Sequence, residues 1–403
     1  MNSAVRFEVC RRLTLTCMVA MAAAGCLGQT ATTPQNQRQT ALALEQEGKN
    51  ADAETAWREF LRWHLGSAEP YAHLGLIEAR QEHYKEAVTL YRKALALNPS
   101  FPSLRLNLGL ALFKEGEMKQ AIAEFKPLLK SQSPTSPERQ RLVILLGMAH
   151  YGLGEYAEAA RYLRQAAAVD SQNLALRLSL AHSCMWSKQY QCVLDTYHEI
   201  LTLNAESAEA DMLAGEAKDE LKDHGGAIDE FRAAVKANPK EPDVHFGLGY
   251  LLWTQKQYPE AVTEFQAELA NDPNSLQSMI YEADAEIHLK DPEAALPLLE
   301  GARRIDANRE LVHLDLGILY SDAGRNDDAV KEMKEAERLA PQDVNVHWRL
   351  GRLYRSMGRK DEAKAEFDKA SSITNAADTA LVDKISGDHS KGAAAQPHAT
   401  PEK

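Results

Sequence analysis

The sequence of 403 residues lacks a basic surface, a membrane-spanning run and a recognisable catalytic motif. Its formal charge of −12 argues against nucleic acid as a partner, because phosphate binding requires a concentrated basic face. The apolar run from Leu13 to Ala24 is too short to span a bilayer. No His-Glu-x-x-His, Gly-x-x-x-x-Gly-Lys or nucleophile-elbow motif occurs. We therefore expect no catalytic residue, no cofactor, no metal site and no enzyme activity.

The histidines are scattered singly along the chain, whereas a catalytic or metal site would need several of them to converge. We therefore interpret them as polar or half-buried helix positions. The histidines in question are His73, His150, His182, His245, His313 and His347.

The segment from Glu310 to Pro341 shows the pattern that the rest of the chain copies. Leu316-Gly317 is followed by Tyr320, by Ala329 twelve residues after the glycine, and by Pro341. Two antiparallel helices approach closely only where one presents a small residue, so Gly317 and Ala329 predict a tightly packed helix pair. The same step of twelve residues to an alanine recurs from Gly75, Gly109, Gly147, Gly215, Gly249 and Gly351. Three weaker copies have alanine in place of the glycine, at Ala41, Ala181 and Ala283.

This pattern resembles the tetratricopeptide repeat (TPR), a helix–turn–helix unit of about 34 residues. The resemblance implies an all-α fold, a right-handed α-solenoid (superhelix) of about ten repeats over residues 40–377. One junction is lengthened by four residues near positions 133–137. Residues 378–386 are predicted to form a capping helix that covers the last apolar face. The polar residues 387–403 are predicted to be a disordered tail.

The first 25 residues have the pattern of a secretory signal peptide, with Arg6, Arg11 and Arg12 before the apolar run. Ala23-Ala24-Gly25-Cys26 resembles a bacterial lipobox, which implies lipidation at Cys26, although Ala23 stands where leucine is usual. Residues 26–39 then form a polar tether. This predicts an exported, periplasmic or membrane-anchored protein of the bacterial envelope. Plain secretion after cleavage, and a cytoplasmic chain, stay open as alternatives.

Cys184 and Cys192 flank the turn of the fifth repeat, one on each helix. An antiparallel hairpin brings such a pair within disulfide range, and an oxidising periplasm permits the bond. The alternative is that both are small thiols filling the core. Both interpretations stay open at this stage.

In TPR proteins the first helices of successive repeats line a concave groove in which ligands bind. Transferred to this chain, the groove is apolar and aromatic, which suits the hydrophobic side chains of a partner. Arginines at three- and four-residue spacing add a basic stripe in the last repeat. The alternative is that these residues pack neighbouring repeats together or form a solvated end. The predicted groove residues are Phe113, Tyr151, Phe246, Tyr250, Trp253, Tyr281, Trp348, Arg352 and Arg355.

The sequence therefore predicts a non-enzymatic scaffold that binds protein or peptide partners in its groove, in envelope assembly or complex formation. The Lys and Asn side chains of carboxylate-clamp TPRs are missing from the corresponding positions, which argues against that mode of peptide recognition. Two other functions stay open, a carrier of a hydrophobic small molecule and a non-catalytic subunit of an envelope enzyme complex.

Overall fold

The computed structural model describes residues 34–101, 103–203 and 206–391, with side chains up to residue 376. Within these ranges the chain forms twenty α-helices and no strand. It divides into two compact units, with the boundary after Glu124. The helices of the first unit are α1 (Pro34–Gln46), α2 (Asn50–Trp63), α3 (Ala68–Arg80), α4 (Tyr84–Leu97) and α5 (Leu104–Glu115), and α6 (Met118–Ser131) contains the boundary.

The second unit continues the same alternation of helix and short turn, so the predicted all-α fold of helix–turn–helix repeats is confirmed. Odd-numbered helices are the first, and even-numbered helices the second, of each repeat. The helices are α7 (Pro137–Gly152), α8 (Tyr156–Val169), α9 (Leu174–Trp186), α10 (Tyr190–Thr202), α11 (Ala208–Glu220), α12 (His224–Ala237), α13 (Val244–Thr254), α14 (Tyr258–Asn271), α15 (Leu276–Leu289), α16 (Pro292–Ile305), α17 (Glu310–Asp322), α18 (Asn326–Leu339), α19 (Val344–Ser356) and α20 (Lys360–Lys391).

One left-handed residue in each turn marks the repeat register. Such a residue reverses the chain between the two helices of a repeat. Successive turn residues are 34 positions apart, as from Gly48 to Glu82. The step from Gly116 to Gly154 is four residues longer, as predicted from the sequence. The ten turn residues are Gly48, Glu82, Gly116, Gly154, Lys188, Lys222, Lys256, Lys290, Gly324 and Gly358.

In six repeats the glycine of the repeat pattern on the first helix makes room for a large side chain on the second helix. A Cβ atom on Gly317 would lie 2.6 Å from Cγ of Met333 and 3.3 Å from the carbonyl oxygen of Ala329. We expected alanine to supply the close contact, but the nearest group is the large residue sixteen positions after the glycine. The same relation holds for the pairs Gly75–Tyr91, Gly147–Leu163, Gly215–Phe231, Gly249–Phe265 and Gly351–Phe367.

At both ends of the described chain, the helices have boundaries that differ from those predicted from the sequence. Helix α1 begins at Pro34, inside the predicted tether 26–39, because proline is well suited to the first position of a helix. No proline occurs between Lys360 and Lys391, and residues 378–386 continue α20 as far as Lys391 instead of forming a separate capping helix. The predicted leader, Cys26 and residues 392–403 lie outside the described residues. Among the helices that are described, none combines the length and apolarity needed to cross a membrane.

Candidate partner-binding groove

Four predicted groove residues form one aromatic cluster in the second unit. Phe246, Tyr250 and Trp253 share one face of α13, and Tyr281 projects from α15. The Tyr281 ring centroid lies 5.9 Å from that of Phe246, 5.2 Å from that of Tyr250 and 5.1 Å from that of Trp253. All four side chains are half-buried, so they contact one another and still present surface to solvent. We call these four residues the aromatic cluster.

Hydrogen bonding fixes the orientation of the cluster. Nε1 of Trp253 donates to Oδ2 of Asp284 at 2.6 Å, and Asp284 also faces His288 at 3.6 Å. The His288 ring stacks on Tyr258 with centroids 4.5 Å apart. Burial, followed by the neighbouring Tyr250 and Asp284, raises the pKa of the Tyr281 hydroxyl. Tyr281 therefore stays protonated at neutral pH.

A cavity of about 380 Å³ adjoins the aromatic cluster, between the first helices α11 and α13. We call this cavity the groove. Phe246 and Tyr250 belong to both the cluster and the groove wall. The other apolar wall residues include Met185, Met212 and Phe231, and the wall also carries the carboxylates of Glu216, Asp219, Glu220 and Asp243.

Gly247 explains the depth of the groove. A Cβ atom at this position would overlap the ring of Phe231 from the preceding repeat, so only glycine lets that ring form part of the wall. The equivalent positions in the next three repeats hold Tyr281, Asp315 and Arg349. The repeat pattern does not reveal that a cavity forms around Gly247.

The groove wall is acidic. Withdrawal of water by the surrounding walls raises the pKa of the Glu216 carboxyl, an effect that nearby His182 opposes. Asp219 is the acceptor for Nδ1 of His224 at 2.6 Å. In the groove, apolar and aromatic side chains therefore lie directly beside negative charge.

The other predicted groove residues lie in separate places. Tyr151 on α7 makes an edge contact with Tyr156, with ring centroids 5.5 Å apart. Tyr156 in turn stacks at 6.0 Å on Trp186, whose side chain is largely exposed. Phe113 lies half-buried on α5 in the first unit. Tyr151 thus marks a second exposed aromatic surface in the second unit.

The predicted basic stripe of α19 is divided among different contacts. Trp348 is half-exposed and its ring centroid lies 4.9 Å from that of Phe367. The Arg355 guanidinium lies over the same ring at 5.6 Å. Arg352 and Arg349 instead line a smaller cavity of about 200 Å³ beside α17. The stripe is therefore not brought together with the aromatic cluster.

The histidines do not converge, and each of the six has its own carboxylate partner. In three repeats the partner follows the histidine by nineteen residues, from the first helix to the second. These pairs are His245–Glu264 at 2.6 Å, His313–Glu332 at 2.7 Å and His347–Glu366 at 2.8 Å. The remaining pairs are His73–Glu45, His150–Glu155 and His182–Glu209. The recurring spacing of nineteen residues is the sequence signal that indicates three of these pairs.

One group, Glu337, His347 and Glu366, has donor types and spacing compatible with a metal ion. Two ammonium groups already occupy it, however. Lys369 lies 2.6 Å from Glu337 and 3.0 Å from Glu366, and Lys334 lies 3.2 Å from Glu366. Burial works against ionisation of Glu366, but contacts with His347 and the two lysines outweigh it and lower its pKa. The group is therefore a buried ion-pair network whose lysines stand where a metal cation would bind.

Cys184 on α9 and Cys192 on α10 face each other and are paired as a disulfide, with Cα atoms 5.8 Å apart. This separation lies within the usual disulfide range. Nη2 of Arg164 lies 2.9 Å from Sγ of Cys192. The bond stays a prediction for the protein in its own compartment. Mass spectrometry of unreduced protein should find neither thiol alkylated, and alkylation of both would contradict the pairing.

Comparison with known families identifies the class of the chain. Three profiles of the tetratricopeptide repeat match it, one over residues 75–116, a second over 144–185 and within 194–310, and a third within 286–381. The chain carries tetratricopeptide repeats and belongs to the tetratricopeptide-repeat proteins.

Curated relatives are distant. The bovine (Bos taurus) BBSome complex member BBS4 is 24% identical over 303 residues, which cover 75% of this chain and 57% of that protein. DnaJ protein P58IPK homolog B from Oryza sativa subsp. japonica is 21% identical over 299 residues, covering 69% of this chain and 57% of that protein. The chain thus spans a little over half the length of these two relatives.

Similar solved structures are also helical-repeat proteins. MamA from Desulfovibrio magneticus RS-1 is 19% identical, with a TM-score of 0.39, over 43% of this chain and 98% of MamA. YrrB, a TPR protein with an unusual peptide-binding site, is 18% identical, with a TM-score of 0.38, over 47% of this chain and 97% of YrrB. The Cut9–Hcn1 structure is 12% identical, with a TM-score of 0.42, over 86% of this chain and 81% of the matched chain.

Proposed function

We propose that this protein is a non-enzymatic scaffold that binds a protein or peptide partner at the groove and the aromatic cluster. The observation that carries the proposal is the aromatic cluster itself, four half-buried rings side by side at the edge of a 380 Å³ cavity. Aromatic residues in well-packed pockets dominate the binding energy of protein interfaces. A row of rings on the first helices also suits anchor side chains spaced along a bound peptide.

The arrangement is organised before a partner arrives, which favours binding. The hydrogen bond from Trp253 to Asp284 holds the indole, and Tyr281 packs against the other three rings. Side chains that are already ordered lose little conformational entropy when a partner binds. Scaffolding in a complex also agrees with the bovine relative BBS4 being a member of the BBSome complex.

Site-specific photo-crosslinking in the native cell tests this function. p-Benzoylphenylalanine in place of Tyr250 should give a discrete crosslinked product. The same group in place of Glu260, which is exposed on α14, should not give that product. Replacement of Phe246 and Trp253 by Ser should abolish the product without loss of helical content. Identical products from both positions, or none from position 250, would refute the groove as the binding surface.

We further propose that the protein acts in the bacterial envelope, exported and anchored through a lipid on Cys26. The support is the Arg-rich start, the short apolar run and the Ala-Ala-Gly-Cys sequence. Metabolic labelling with an alkyne-bearing fatty acid should mark the protein, and Cys26→Ser should remove the label and release the protein from the membrane fraction. Retention of label in Cys26→Ser would exclude this anchor.

The apolar part of the groove wall supports a second candidate, a carrier of a hydrophobic small molecule. A volume of about 380 Å³ lies near the lower end of ligand-sized cavities, and four carboxylates disfavour a neutral apolar ligand. Native mass spectrometry after gentle purification separates the two functions. A carrier retains a low-mass ligand, whereas a peptide-binding scaffold does not.

A further inference from the structure

The charge of the groove wall indicates what kind of partner it accepts. Glu216, Asp219 and Glu220 come from α11, and Asp243 lies directly before α13. No lysine or arginine is among the wall residues in the described part of the chain. On α11, Glu216 and Asp219 occupy the positions that Tyr250 and Trp253 occupy on α13, one repeat later. The acidic wall and the aromatic wall therefore lie side by side, on equivalent faces of neighbouring first helices.

These carboxylates are only partly compensated within the protein. Asp219 contacts His224, whereas Glu216 is desolvated by the groove walls and lies near a second carboxylate, Glu220. Desolvation is the largest effect on Glu216, and the attraction of His182 does not cancel it, so the pKa of the carboxyl stays raised. A cation entering the groove would meet negative charge that the protein itself leaves under-compensated.

The aromatic side of the groove suits the same cation and an apolar neighbour. Phe246 and Tyr250 present aromatic rings to the groove, and a ring face attracts Lys or Arg when it lies within about 6 Å. Met185 and Met212 provide flexible apolar contact in the same cavity. Cation-binding and apolar features therefore lie within one cavity whose volume suits a few side chains.

We infer that the partner segment in the groove carries a lysine or arginine side chain next to an apolar or aromatic one. This inference rests on the proposed function and narrows it to a basic, amphipathic polypeptide. It is the opposite charge preference from recognition of a C-terminal carboxylate. Further along the second unit, the cavity lined by Arg349 and Arg352 holds a single carboxylate, Asp322, so a cationic side chain is favoured at α11 and α13 instead.

Panning a random twelve-residue peptide display library against the purified full chain tests the inference without knowledge of the natural partner. Enriched peptides should share Lys or Arg beside an apolar residue, and their affinity should fall with salt. The double variant Glu216→Gln/Glu220→Gln should weaken binding about tenfold or more, because charge-assisted contacts are lost. Glu260→Gln/Glu293→Gln removes two exposed charges from second helices and should leave binding unchanged.

The outcomes separate this inference from the proposed function. Enriched peptides that lack a basic residue, or that bind the Glu216→Gln/Glu220→Gln variant equally well, overturn the inference. The proposed function survives that result if binding is lost on replacing Phe246 and Trp253 by Ser. Failure to enrich any peptide that depends on these residues overturns both. If arginine amide alone binds as tightly as the enriched peptides, the claim that the groove holds a polypeptide is overturned.

Discussion

Gly249 and Gly301 are both interior helix glycines, and replacing each by alanine should change stability in opposite directions. Alanine favours the helix over glycine by about 1 kcal/mol at either site. The sites differ in what the added methyl group meets. At Gly249 the Cβ atom would lie 2.7 and 2.8 Å from two carbons of the Phe265 ring, whereas at Gly301 the nearest atom is Sδ of Met279 at 3.4 Å.

The size of the two effects follows from these contacts. Phe265 is fully buried, so its ring cannot move aside without disturbing the core. Overpacking of a close-packed core costs about 1–3 kcal/mol, which exceeds the helix-propensity gain. The difference between cost and gain means that Gly249→Ala should lower the free energy of unfolding by up to roughly 2 kcal/mol. Gly301→Ala should raise it by roughly 0.5–1 kcal/mol, because a methionine side chain adapts to a contact of 3.4 Å.

Urea unfolding followed by circular dichroism measures the comparison, with hydrogen exchange in α13 and α14 as a local probe. The local probe is needed because repeat proteins do not always unfold in a single transition. Phe265→Leu should couple favourably with Gly249→Ala in a double-mutant cycle, by about 1 kcal/mol, because the smaller side chain relieves the overlap. If Gly249→Ala stabilised the protein as much as Gly301→Ala, the explanation of the repeat glycines would be refuted.

Two pH-dependent predictions have opposite signs, and a third concerns the turns. Burial raises the pKa of Asp315 well above its ordinary value. The contribution of Asp315 to stability is therefore complete in acid and is lost as pH rises through the folded-state pKa. Asp315→Asn should stabilise the protein at pH 7 by about 1 kcal/mol or more and have little effect in acid. The pKa of Glu366 is lowered, so its contribution to stability is complete above the ordinary carboxyl pKa and is lost as pH falls through the lowered value. Glu366→Gln should lower the free energy of unfolding by roughly 3 kcal/mol at pH 7, because His347 loses its buried partner. The loss should be smaller in acid. Thermal melts of both variants at pH 7 and in acid check these signs, and a pH-independent difference would contradict them. Lys256 has a φ of 60°, which glycine adopts without strain. Lys256→Gly should therefore raise the free energy of unfolding by about 1 kcal/mol, and Gly324→Lys should lower it by a similar amount. Urea titrations measure both changes.

The repeat register could be predicted from the sequence because it depends on local chemistry. A small residue, a turn and a second small residue at constant spacing define a helix pair, whichever repeats pack beside it. The four-residue insertion before α7 interrupts this spacing and is therefore visible in the sequence. The contact that makes glycine necessary was not predictable in this way. Several large residues follow Gly249 on the second helix, and only packing geometry selects Phe265 as the one that covers it.

The candidate site was predictable where it lies on one helix face and not where it depends on several helices. Spacings of four and three residues placed Phe246, Tyr250 and Trp253 together, and the structure brings these rings together with Tyr281. The depth of the groove depends on Phe231 reaching past Gly247 from the preceding repeat. That contact joins two repeats, so a pattern confined to one repeat does not contain it.

Stability and recognition use different surfaces of the same helices. The glycine contacts and the three nineteen-residue histidine–glutamate pairs join the first and second helix of one repeat. The aromatic cluster and the acidic wall instead lie between first helices of neighbouring repeats, where Trp253 meets Asp284 and Tyr281. Because stability accumulates within repeats and at their shared interfaces, exchange of a groove carboxylate such as Glu216 removes no buried ion pair from either. Recognition of a basic partner can therefore be altered at Glu216 and Glu220 with the fold intact. A loss of binding in those variants then means that contacts with the partner are lost.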